Sequence, residues 1–247
     1  AGLRPGQAEY RWGPPAVGPP GEAAVPEDAR AVIVGGGEPP STALLSSEME
    51  RRPRPLLLCA DSGADAVLEA GLEPDFLVGD LDSVSPAARA ALPPGRVIAV
   101  AEQETTDLQK VLEHAAALGV KSAVLLGFTG GRTDHTLWNL SLLRRYADRM
   151  DLRFADDHCE LRRVGSRIRF RARAGQKISL CPLDGPANRV TTSGLKWQLQ
   201  GEDLVPGERG GISNEVAAGP VEIAVGSGEL LLCVHRDSGP GRIELLD

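Results

Sequence analysis

Long basic runs are missing from this sequence. Its 247 residues carry 27 Lys and Arg against 34 Asp and Glu, a formal net charge of −7. No basic run is longer than a pair such as Arg51-Arg52 or Arg144-Arg145. Nucleic-acid binders present a basic stripe, so that class is excluded. No apolar run reaches the roughly 18 residues of a membrane span. No secretory signal is visible, and a cytoplasmic protein is expected. The four cysteines, Cys59, Cys159, Cys181 and Cys233, are far apart, which excludes a close zinc-type pair. Three of them sit within or beside apolar runs and read as buried free thiols of a reducing compartment. The histidines, His114, His135, His158 and His235, are equally scattered. Aromatic residues are only 4% of the chain, so each Trp and Tyr stands out.

Hydrophobic residues at 42% and charged residues at 25% are ordinary for a globular protein, so a real core can be buried. The length suits two small domains. Residues 1–28 are rich in Pro, Gly and Ala, which hold neither helix nor strand, and are expected to form a disordered arm. Ala1 in place of Met is read as trimming or processing. A transit peptide is not expected, because the arm lacks Ser and contains Glu9 and Glu22.

From Ala29 an α/β pattern begins. Strands are expected at 31–34, 56–60, 76–79, 97–100 and 122–127. Helices are expected after Ala60, after Ser85-Pro86, over 107–118 and through Leu137, Leu140, Leu143, Ala147 and Met150. Strands alternating with helices predict a mostly parallel sheet covered on both faces. Beyond about residue 158 the pattern becomes short strands at 167–172, 177–183, 195–200, 221–225, 229–234 and 242–246, separated by Gly, Pro, Asp and Asn. The fold class is therefore α/β followed by an all-β sandwich or barrel, divided as 29–158 and 159–247.

Ligands of an open α/β sheet bind at the carboxyl ends of its strands, and four such ends carry acids or glycines. In Gly79-Asp80-Leu81-Asp82-Ser83, an extended backbone would aim Asp80 and Asp82 at one point and turn Leu81 to the core. Adjacent carboxylates repel unless a cation lies between them, and oxygen-only ligands favour Mg²⁺. The plain alternative is a polar turn capping the next helix. In Thr105-Thr106-Asp107-Leu108-Gln109-Lys110, Thr106 and Gln109 fit a capping box and Asp107 suits the helix dipole. Lys110, one turn on, could with Asp107 hold a metal and a phosphate together. The run from Gly127 through Gly130, Gly131, Arg132 and Asp134 to His135 is a strand, a glycine turn and a helix start, which suits phosphate. Arg132 supplies a charged fork, and Asp134 is a metal ligand or a first-turn acid. It is not a Walker loop, since the Gly-Lys-Ser/Thr ending is absent. In Asp61-Ser62-Gly63-Ala64-Asp65 the first acid ends a strand and could face a nucleotide or serve as a turn acid. The early Gly35-Gly36-Gly37 also ends a strand, and a lone glycine run of this kind can equally be a tight turn.

Taken in order, these segments resemble the thiamine pyrophosphokinases. That family shows Ala-Asp-Gly-Gly-Ala-Asn, Pro-Asp, Gly-Asp-Phe-Asp-Ser, Thr-Asp-x-x-Lys and Gly-Gly-Arg-x-Asp-His followed by Asn-Leu. The matching stretches are Asp61–Asp65, Pro74-Asp75, Gly79–Ser83, Thr106–Lys110 and Gly130–His135 with Asn139-Leu140. Ile178-Ser179-Leu180, Gly194-Leu195-Lys196-Trp197 and Ile212-Ser213-Asn214 add the β-region signatures, and the resemblance spans roughly residues 30–234. Ser62, Asp65 and Leu81 depart from a usual Gly, Asn and Phe.

The resemblance implies transfer of pyrophosphate from ATP to the thiamine hydroxyl. It implies a homodimer with the site between the α/β part of one subunit and the β part of the other. Mg²⁺ would sit on Asp80, Asp82 and Asp107 with Asp134 close by. Lys110 and Arg132 would hold phosphates, and Asp61, Asp65, Gly130, Gly131 and Asp134 would line the nucleotide site. Gln103 would stand at the substrate entrance, with Trp197, Ser213 and Asn214 on thiamine. A flat cationic ring suits an indole face. Two rivals stay open: a pyrophosphokinase for another alcohol such as a hydroxymethyl pterin, and a non-catalytic thiamine or nucleotide sensor.

Overall fold

The computed structural model describes residues 28–236 and 243–246. The proline-rich arm, Asp28 apart, lies outside the described residues.

Six strands form the parallel part of one large sheet: β1 (Arg30–Val34), β2 (Leu56–Ala60), β3 (Phe76–Gly79), β4 (Val97–Ala99), β5 (Ser122–Leu126) and β6 (Asp151–Ala155). They lie in the order β4-β3-β2-β1-β5-β6. The inner strands are apolar on both faces because both faces are covered, as parallel sheets require. On one face, α4 (Asp107–Ala117) and α5 (Thr133–Arg145) build a core with Ile33, Phe76, Val111 and Leu112. On the other, α1 (Thr42–Met49), α2 (Gly63–Glu69) and α3 (Pro86–Ala91) bury Leu44, Leu45, Val67 and Ala88 against Val34 and Leu77.

The sheet does not stop at residue 158. After a short turn, β7 (Cys159–Val164) pairs antiparallel with β6. β14 (Leu230–His235), β9 (Lys177–Pro182) and β12 (Gly211–Glu215) then extend it to ten strands. Asp156 makes the reversal possible by accepting the His158 and Cys159 N–H groups at 2.8 and 2.7 Å. A second, five-stranded sheet consists of β8 (Arg167–Arg171), β10 (Ala187–Ser193), β11 (Gln200–Leu204), β13 (Pro220–Ala224) and β15 (Glu244–Leu245). It packs on the antiparallel part of the first through Phe170, Val190, Val221 and Ile223 against Ile178, Leu180 and Leu232. The molecule is thus a mixed α/β layer whose sheet runs on into a β-sandwich.

Local signals fix the helix starts. Ser85 accepts the Ala88 N–H with Pro86 in the first turn. Thr106 and Gln109 close the expected capping box on α4. Some expectations need correction. The stretch 195–200 is not a strand; it is a turn with one bridge from Leu195 to Val216, and β11 starts only at Gln200. Helix α5 ends at Arg145, and its inward face is Asn139, Leu142 and Leu143, not Leu137, which is 65% exposed. Helix α1 and strands β6, β7, β10 and β12 were not anticipated from the pattern.

Candidate active site

The carboxyl ends of β1, β2, β3 and β5 open on a cavity of about 640 Å³, within the range of small-molecule sites. Glycine makes the opening. A Cβ on Gly37 would stand 2.7 Å from the Gly127 carbonyl oxygen, and one on Gly36 would strike the Ser62 hydroxyl. Gly37 has no room for a side chain, and the backbone of this floor is left bare. Gly79 is less tightly held: a Cβ there would lie 3.3 Å from the Asp61 carboxylate, a contact that would press on it.

Three carboxylates gather at this edge. Asp61, Asp80 and Asp82 each offer an oxygen within 4.8 Å of the others. Asp61 follows β2 with φ +47, is 5% exposed, and accepts the Ser83 N–H through Oδ2 at 3.1 Å. Its Oδ1 is buried with no hydrogen-bond partner. Burial, then the charges of Asp107 and Asp80, hold its pKa above the usual carboxylate range against the Ser83 hydrogen bonds. Asp80 is its opposite. Gln103 Nε2 donates to it at 2.9 Å and Lys110 Nζ at 3.5 Å. The Gln103 bond, with Lys110 and the Asp82 N–H, pulls its pKa down against partial burial. Asp82 is exposed and accepts the Ser83 hydroxyl at 2.7 Å.

The expected geometry of this loop was an extended strand. The strand instead ends at Gly79, and Leu81 takes φ +67. Leu81 still reaches the core, being 9% exposed, and the two acids still flank it.

Lys110 is the central cation. Its side chain is 2% exposed and reaches Asp107 at 3.2 Å as well as Asp80. Burial alone would lower its pKa, but Asp107 and Asp80 together raise it above the ordinary value. Asp107 opens α4 and stays partly exposed beside the cavity. The loop before it is shaped by Glu102, which accepts the Thr105 N–H at 3.0 Å and the Thr105 hydroxyl.

Across the cavity, Gly130 and Gly131 both have positive φ and lead to Arg132, the cap residue of α5. Asn139 fixes this loop by donating to the Phe128 carbonyl at 3.0 Å. Arg132 is exposed and forked on Asp134 at 3.1 and 2.5 Å. That pair raises the Arg132 pKa and lowers that of Asp134 to about 2.

Not every expected residue meets here. Asp61, Asp107, Gly130, Gly131 and Arg132 line the cavity, while Asp134 faces solvent beside it. Asp65 accepts the Ser85 N–H at 3.2 Å and the Ser85 hydroxyl, tying α2 to the start of α3. Trp197, Ser213 and Asn214 are outside the cavity lining and form a patch of their own. Asn214 receives the Trp197 N–H at 3.2 Å and donates to its carbonyl at 2.6 Å. Ser213 has φ +58 and donates its N–H to Ser179 Oγ at 3.0 Å. The Trp197 ring is exposed under the Lys196 ammonium at 4.8 Å. Sequence reasoning passed over Glu38, Ser62, Ser83 and Phe128 as lining residues; the glycine run before Glu38 was the available signal.

Comparison with known proteins adds an independent line. The model "Thiamin pyrophosphokinase, catalytic domain" matches residues 51–154, and "Thiamin pyrophosphokinase, vitamin B1 binding domain" matches residues 166–230. The two together take in well over half the chain. A thiamine pyrophosphokinase of Bacillus subtilis is 27% identical over 188 residues, 74% of this chain and 88% of that protein. Thiamine pyrophosphokinase 1 of Oryza sativa is 28% identical over 197 residues, 68% of this chain and 74% of the relative. The fold matches the solved thiamine pyrophosphokinase of Bacillus subtilis with a TM-score of 0.75 at 24% identity, covering 85% of this chain and all of that one. It matches that of Geobacillus thermodenitrificans at 0.73 and 26%, covering 85% and 98%. With catalytic-domain and vitamin-binding-domain matches falling in order on the α/β layer and the sandwich, the chain belongs to the thiamine pyrophosphokinase family.

Proposed function

We propose that this chain transfers a pyrophosphoryl group from ATP to the hydroxyl of thiamine, giving thiamine diphosphate and AMP. The reading rests on one observation: Asp61, Asp80 and Asp82 converge at the edge of a glycine-floored cavity lined by Asp61, Asp107 and Arg132, with Lys110 paired behind it to Asp80 and Asp107. The residues fit Mg²⁺. The donors are all carboxylate oxygens, and the buried Asp61 Oδ1 lacks a hydrogen-bond partner. Asp61, Asp80 and Asp82 would hold the ion, with Asp107 beside them. When bound, it would neutralise polyphosphate charge.

The chain's own groups would do the rest. Phosphoryl-type transfer is mainly positioning and charge neutralisation. Lys110, held between Asp80 and Asp107, would present its ammonium to phosphate oxygens. Arg132 would leave its exposed pairing with Asp134, worth little in water, for the phosphate chain. The bare backbone at Gly36, Gly37, Gly130 and Gly131 would admit the nucleotide closely. Asp65, bound to Ser85, would serve that site from behind by fixing the start of α3. We assign residues 29–158 to nucleotide and metal and 159–247 to thiamine. Trp197, Ser213 and Asn214, lying away from this chain's cavity, would serve the cavity of a second copy in a homodimer, with Gln103 at the entrance. A cytoplasmic setting fits four free cysteines; among the described residues no helix is long and apolar enough to cross a membrane.

The test is to mix the protein with ATP, Mg²⁺ and thiamine and measure AMP. Release that requires thiamine, and is not supported by a hydroxymethyl pterin, is expected. No AMP above the protein-free control would end the proposal.

A further inference from the structure

Glu38 is a carboxylate in a cavity that, on the reading above, must take a polyanion. It follows the glycine run at the end of β1 and lines the cavity. Its N–H donates to the Thr129 carbonyl at 3.3 Å, which docks this stretch against the loop after β5. Its side chain leans the same way: a Cβ on Gly130 would stand 2.6 Å from Glu38 Oε2. Among the described residues no cation forms an ion pair with it. The residue is exposed at the cavity wall, so its carboxylate oxygens are open to a ligand that enters.

Topology says which part of a ligand it meets. Asp61 follows β2 and Asp80 follows β3, whereas β1 lies beyond β2 on the β5 side. Neighbouring strands are about 4.8 Å apart, so the Glu38 end of the cavity is roughly 10 Å from the Asp80 end. Phosphates gathered at Asp61, Asp80 and Lys110, and reached by the long exposed Arg132 side chain from the start of α5, leave the other end of the nucleotide for Glu38. A carboxylate only accepts hydrogen bonds, and it repels phosphate. The group suited to it is neutral and rich in donors. A ribose with its paired 2′- and 3′-hydroxyls offers two adjacent donors to the two carboxylate oxygens.

We propose that Glu38 is a specificity-determining residue that accepts hydrogen bonds from the ribose hydroxyls and so selects ribonucleotides over deoxyribonucleotides. The inference rests on the cavity being a nucleotide site. It does not require thiamine to be the acceptor.

The test is equilibrium binding of Mg·ATP and Mg·2′-deoxy-ATP to the full chain, its Glu38→Gln variant and its Glu38→Ala variant, with AMP release measured in parallel. The parent protein should favour ATP by about tenfold or more, the size expected for a hydrogen bond to a charged acceptor. Glu38→Gln should keep part of that preference, and Glu38→Ala should bring the ratio close to one while leaving the melting temperature unchanged. A parent that binds both nucleotides equally, or a Glu38→Ala protein that keeps the preference, overturns the inference. So does a Glu38→Ala protein that loses its choice between ATP and GTP but not between ribose and deoxyribose, since Glu38 would then read the base. If nucleotide binding follows the expected pattern but no AMP appears with thiamine, the inference stands and the proposed reaction falls.

Discussion

Carboxylates gather in two places in this molecule, and they are treated in opposite ways. Beneath α1, Glu48 and Glu160 are almost fully buried, yet arginines surround them. Arg153 reaches Glu160 at 3.0 Å and Glu48 at 2.5 Å; Arg162 reaches Glu160 at 2.6 Å, and Arg236 lies 3.6 Å from it. At the cavity, Asp61, Asp80 and Asp82 have one lysine between them, and no arginine bonds to any of them among the described residues. The first cluster is matched internally and holds the sheet together across the β6–β7 turn. The second is left with an excess of negative charge, which costs stability unless something from outside supplies the cation. Matched acids mark structure here, and unmatched acids mark a site.

The largest effect should come from the unmatched cluster. Asp80→Asn combined with Asp107→Asn removes two charges around Lys110. If that cluster carries the reaction, turnover should fall on the order of a thousandfold or more. Steady-state AMP release measures this, and near-native turnover would break the contrast at its root. Next in size is Glu160→Gln. It leaves Arg153 and Arg236 with Glu48 alone, and Arg162 with only the exposed Asp151. Breaking a buried ion pair from one side costs about 3–5 kcal/mol, and urea unfolding should show a loss of that order. Turnover per folded molecule should not change.

Asp61→Asn sharpens the comparison by sign. It relieves repulsion at a buried acid whose pKa is already raised by burial and by Asp107 and Asp80. Without metal, the variant should be more stable than the parent by about 1 kcal/mol, or a few degrees in melting temperature. Added Mg²⁺ should raise the parent's melting temperature through linkage and leave the variant's nearly unchanged. A parent that melts at one temperature with and without Mg²⁺ would count against the metal reading.

Much of this is legible in the sequence, for local reasons. Ser85-Pro86 and Thr106–Gln109 announce helix starts because capping is a contact within four residues. The apolar runs of β1 to β3 announce buried strands because both faces are covered. What escaped depended on partners distant in sequence. Asp151 to Val164 reads as polar, with Arg153 and Glu160 in it; only their pairing with each other and with Glu48 lets those strands be buried. Leu137 fits a helical stripe by spacing, but the turn of α5 that carries it points outward. At the site, Asp61 was read as a nucleotide-facing acid or a turn acid. Its place beside Asp80 and Asp82 follows from β2 and β3 being neighbours, and from Gly79 leaving room for its side chain. Asp65 matched a motif position, yet Ser85 claims both of its oxygens.

The smallest effect tests whether matching alone is enough when the acid is nearer the surface. Glu113 on α4 takes Arg149 through both nitrogens at 2.9 Å and the Tyr146 hydroxyl at 2.8 Å. Burial would raise its pKa, but the Arg149 and Tyr146 bonds outweigh that and lower it. A carboxylate lowered in the folded state binds fewer protons there than in the unfolded chain. Its contribution is therefore complete above the unfolded value, about 4.3, and disappears as pH falls through the lower folded value. Arg149 is half exposed, so water screens the pair and its worth should be under about 1 kcal/mol. Glu113→Gln should accordingly lower stability slightly at pH 7 and flatten the acid limb of a melting-temperature profile below about pH 4.5. A variant profile parallel to the parent's over that limb would mean that the arginine neighbour does not set this acid's charge, and that matching counts only in the buried cluster under α1.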